Sequence, residues 1–194
     1  MKLLIFYALF FSFNVYNSGI PVDERLEATY ADAKSYYPSW ETVFLPDLRS
    51  GRLIFFRVSN PVERSRGHIH IIMKLPDEEL REVQNMAYSG SIRRSFNDSE
   101  LMILDRNPRI THFRNLDMSR EIDDVPIPNF DFIQDNMFTS SYIDRATIFV
   151  YGYARRDSRA GEPPTTDLPE RWNHGMTSGV VIWDNYVAYW LDVW

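Results

Sequence analysis

The chain has 194 residues, of which 44% are hydrophobic and 25% charged, with a net charge of -6. That length and mix suit a folded domain with its own core and exclude general disorder, and the acidic balance excludes general affinity for nucleic acid or anionic lipid. There is no cysteine, so disulfides, thiolate metal sites and a cysteine nucleophile are excluded.

Lys2 is followed by an apolar run from Leu3 to Phe13. One basic residue and then a short apolar stretch has the form of a secretory leader. The run is too short for a membrane span, which needs about 20 apolar residues. Small and polar residues follow at Asn14, Asn17, Ser18 and Gly19. The expectation is a leader over residues 1–19, cut after Gly19, that meets a membrane-targeting machinery. Residues 20–194 then form a single β-rich domain in the secretory route. If the segment is kept, its recurring aromatics, Phe6, Phe10 and Phe11 among them, make it an assembly arm within an intracellular assembly.

Pro21 to Tyr37 reads as a helix. Proline near the start costs no hydrogen bond, Asp23 and Glu24 suit the helix dipole, and Val22, Leu26, Tyr30, Ala33 and Tyr37 share one face. Strands are expected at Glu41 to Leu45, Arg52 to Ser59 and His68 to Lys74. Pro76 to Ser89 reads as a second helix, with Leu80, Val83, Met86 and Ala87 as its apolar stripe and Gly90 as its stop. Two more strands fall at Leu101 to Asp105 and Arg109 to Arg114. Leu116 to Asp144 has no period and reads as a connection. Ala146 to Tyr153 is a further strand. Val180 to Trp183 and Tyr186 to Leu191, joined by Asp184-Asn185, read as a β-hairpin. The fold class expected is mainly β with two helices (α+β), arranged as an antiparallel β-sandwich or jelly-roll-like domain.

Chemistry is sparse in the sequence. His68 and His70 alternate with Ile69, so a strand puts both imidazoles on one face. Such a pair could supply two ligands to zinc or another divalent metal, with a third from His112, His174 or Asp105. No G-x-S-x-G elbow, phosphate loop or dinucleotide glycine motif is present. Asn97-Asp98-Ser99 is a glycosylation sequon, used only in a secreted chain.

Arginine outnumbers lysine 18 to 3, and aromatics make up 15% of the chain. Arginine forks pair with carboxylates, and both residue types are enriched at interfaces. Trp183, Tyr189, Trp190 and Trp194 read as core or as assembly or ligand contacts. The leading expectation is a non-enzymatic structural protein that self-assembles, in the manner of a capsid, storage or viral occlusion-body matrix protein, whose partner is itself and which needs no cofactor. The alternatives are a secreted metal-dependent hydrolase or metal-binding protein using His68 and His70, and a secreted β-sandwich that binds a ligand through aromatics.

Overall fold

The computed structural model describes residues 19–37, 42, 44–59, 67–91, 93–95, 103–106, 111–114, 127–128, 130, 133, 146–155 and 175–194. Phe6, Phe10, Phe11, Asn97 and His174 lie outside them, as does most of the connection between Leu116 and Asp144. The protein is mostly β, with two helices set against an antiparallel sheet.

Helix α1 spans Glu24–Ser35. Asp23 caps it, accepting from the Leu26 N–H at 2.8 Å, which satisfies one of the first-turn donors. Strands β1 (Arg52–Ser59) and β2 (Gly67–Lys74) follow, and then helix α2 (Asp77–Gly90), with Asp77, Glu78 and Glu79 in its first turn. β3 (Arg93–Ser95), β4 (Ile103–Arg106), β5 (Thr111–Arg114) and β6 (Ile127–Pro128) are short. β7 (Thr147–Arg155), β8 (Gly175–Trp183) and β9 (Tyr186–Val193) complete the chain.

The main sheet runs β1-β2-β9-β8-β7-β3, and every neighbouring pair in it is antiparallel. The small sheet runs β5-β4-β6, with β4 and β6 parallel. Both faces of the main sheet are covered, so its central strands are buried on both sides over most of their length. Along β9, Val187, Tyr189, Leu191 and Val193 face the helices, where Tyr30, Ala33, Leu80 and Ala87 meet them. Ala188 and Trp190 face the other way, onto Ile127, Phe130 and Ile133. Trp190 has 0% exposure. An indole removes roughly 200 Å² from water, worth on the order of 5 kcal/mol before its entropy cost is counted.

Two of the expected elements came out differently. Glu41 to Leu45 is not a strand at its described positions: Thr42 is helical, Phe44 and Leu45 turn, and the Leu45 N–H donates to the Thr42 carbonyl at 3.1 Å. Pro46 lacks the donor that a ladder would need, and Phe44 instead stacks on Tyr151 with ring centroids 4.9 Å apart. β8 also begins at Gly175, well before Val180. Gly175 and Gly179 hid that extension, because glycine weakens any strand signal. The hairpin turn is as expected, with Asp184 at φ 48°.

Burial pushes the phenols of Tyr30, Tyr151 and Tyr189 above the ordinary 10.0, with Tyr189 and Asp47 adding to the effect at Tyr30 and Tyr151 adding to it at Tyr189. Below pH 10 these phenols are protonated in both folded and unfolded chains, so they cost nothing. Above it the unfolded chain ionises them and the folded chain does not, so stability falls as pH rises. In an alkaline titration followed by tyrosinate absorbance, these three should ionise together with loss of near-UV dichroism. Early, independent ionisation of all eleven tyrosines would contradict this packing.

Candidate functional site

The period-two expectation for His68 and His70 holds. Both lie on the β2 face turned away from the helices, with ring centroids 4.8 Å apart and planes 27° from parallel. What the strand register adds is a polar row across the sheet. Ser59 on β1 pairs with His68 on β2, His68 with Asp192 on β9, Asp192 with Thr177 on β8, and Thr177 with Tyr153 on β7. Cross-strand partners share a face, so five side chains able to exchange or share a proton form one row. Tyr153 at its end is 47% exposed, while Asp192 and Thr177 are fully buried.

Three hydrogen bonds organise this row and its neighbour His70. The His70 imidazole contacts Asp192 through Nε2 and Oδ2 at 2.9 Å, and both groups are buried. Ser59 Oγ lies 2.9 Å from His68 Nδ1 and accepts from the His68 backbone N–H at 3.1 Å. The serine is thereby tied to its own cross-strand partner. Lone pairs on an imidazole lie in its ring plane. Near-parallel stacked rings therefore aim theirs along separate planes, a poor start for two ligands converging on one ion. Among the described residues no group of three His, Asp or Glu side chains is placed to hold a metal ion. The Asp105 and His112 backbones are register partners across β4 and β5 in the small sheet.

The row lies between two indoles. Trp190 pairs with Gly179 across β8 and β9, and a Cβ at Gly179 would overlap both the Trp190 ring and the Phe149 carbonyl oxygen. The Gly175 and Trp194 backbones exchange two hydrogen bonds of 3.0 Å, and a Cβ at Gly175 would lie 2.5 Å from Trp194 Cζ2. Thr177 sits between these glycines on the same strand face. Phe130 meets the Trp190 ring edge-on at 5.2 Å. Trp183, Tyr189, Trp190 and Trp194 are thus packed inside a single chain, each no more than 4% exposed. Among the described residues the Thr177 hydroxyl and the Trp190 indole N–H have no hydrogen-bond partner.

Away from this row, a shallow open depression of about 540 Å³ is lined by Arg49, Arg52, Lys74 and Asp77 at one end of the sheet. Arg49 is paired with Glu27 there. Sequence reasoning found the histidines but not Asp192, Ser59 or Thr177. The one signal for Asp192 was a lone carboxylate in an otherwise apolar C-terminal strand. No protein-family model, curated protein or solved structure matches this chain.

Proposed function

We propose that this is a structural protein that self-assembles, entering the secretory route by way of residues 1–19. The observation that supports it is the edge strand β1. It spans eight residues, RLIFFRVS, and pairs with β2 on one side. Among the described residues no strand pairs with its outer side, where the Ile20 N–H bonds to the Leu53 carbonyl. Ile54, Phe56 and Val58 on β1 are only partly buried. An unpaired edge is a template for pairing with another strand; β1 has exposed Arg52 and Arg57 and an irregular register between Leu53 and Phe55, and its apolar residues lie between and beside them. A second copy of β1 is self-complementary with it, because antiparallel pairing about a two-fold axis returns the same apolar side chains to the same face.

The small sheet β5-β4-β6 completes the proposed architecture. Ile127 on β6 packs against the face of the main sheet opposite the helices, which is how the second layer of a sandwich or jelly roll would begin.

Lysine on an edge strand opposes edge pairing, and a half-buried lysine can carry its amine to solvent. Ile54→Lys and Val58→Lys should each weaken self-association at least tenfold in sedimentation equilibrium, with circular dichroism unchanged. Unaltered assembly in both variants would remove β1 from the interface.

A second reading, an enzyme or metal-binding protein centred on His68 and His70, draws on the buried His70–Asp192 contact. Elemental analysis separates the two. The structural reading predicts no stoichiometric metal. One equivalent of zinc, lost in a folded His70→Ala variant, would establish the second reading.

A further inference from the structure

We infer that the chain is cut between Gly19 and Ile20 and that the new amino terminus stays docked on β1. The inference rests on the reading of residues 1–19 as a leader cut after Gly19, and it goes further in fixing the fate of the new amino terminus.

Three observations meet at this bond. Glycine is a small residue of the kind leader-removing peptidases accept on the acyl side of the cut. The Ile20 N–H donates to the Leu53 carbonyl at 2.7 Å, and the Ile20 side chain packs against the helix-face core. Gly19 is sterically confined, since a Cβ there would lie 2.5 Å from Arg52 Cγ and 2.9 Å from the Leu53 carbonyl oxygen. The first residue of the processed chain therefore already holds its place in the fold, and the residue before it holds one that only glycine fills without a shift.

The chemistry is amide hydrolysis. Water adds across the Gly19–Ile20 bond, Gly19 departs with the leader as a carboxylate, and the Ile20 nitrogen takes a proton to become an ammonium. That ammonium keeps a hydrogen directed at the Leu53 carbonyl, now with a full positive charge behind it. Charge-assisted hydrogen bonds are roughly twice as strong as neutral ones. Cleavage thus strengthens the contact that holds the N-terminus at the β1 edge.

The test is the mass of the full chain after expression in a secreting eukaryotic cell, as wild type and as Gly19→Ala. Alanine is also small, so both leaders are removed. The expected result is one product mass for the two, that of residues 20–194 with any glycan at Asn97 removed, and the same melting temperature. A product starting at another residue overturns this inference while leaving the leader reading intact. A product retaining residues 1–19 overturns both, and then Gly19→Ala should melt several degrees below wild type, because its Cβ meets Arg52.

Discussion

Gly179→Ala is expected to lose more than about 3 kcal/mol of stability, at the upper end of what overpacking a filled interior costs. The added methyl overlaps the Phe149 carbonyl oxygen and the Trp190 ring together. A flexible side-chain end could swing away. A backbone carbonyl in the β7–β8 ladder cannot move without breaking its strand, and Trp190 is held by Phe130 and the surrounding core. Urea unfolding measures the loss. Trp190→Phe in the same chain should recover only part of it, since the clash with Phe149 remains. Gly175→Ala makes a useful contrast, because there the nearest atoms all belong to the Trp194 side chain, at the end of the strand. Trp194→Phe should recover most of that smaller loss. Equal losses at the two glycines would contradict the packing described.

The second large effect is at Asp192. Replacing it with alanine removes the acceptor from a buried imidazole and leaves a cavity beside Thr177. An unmade buried hydrogen bond costs about 1–3 kcal/mol, and the cavity adds to it. Asp192→Asn keeps the shape and one oxygen acceptor, so it should cost less than half as much. Chemical denaturation of the two variants checks the order. If Asp192→Ala is as stable as wild type, the His70–Asp192 contact does not hold the sheet together, and a role in chemistry becomes the better account of it.

Much of this fold was legible in local pattern. β1 was bounded to the residue, β2 and β9 nearly so, and both helices were placed by apolar spacing and by acids in their first turns. β3 and β6 were not found, because strands of three and two residues carry no period. The expected strand before Pro46 failed because its apolar residues were needed in a turn beneath Tyr151. The candidate site divides in the same way. Two histidines on one strand face follow from alternation alone. The association of His70 with Asp192, 122 residues away, depends on the register between β2 and β9, which no local pattern carries. The C-terminal tryptophans were recognised as anchors, but whether they anchor a core or a neighbour turned on Gly175 and Gly179, which leave room for them within the chain.

Because those indoles are buried inside the chain, the proposed self-assembly would use another surface, and β1 is the one proposed. The most direct test is native mass measurement of the wild-type protein over a range of concentrations up to the millimolar. The account predicts a discrete dimer or a larger assembly that dissociates in Ile54→Lys and Val58→Lys. A strictly monomeric mass at the highest concentration would contradict it.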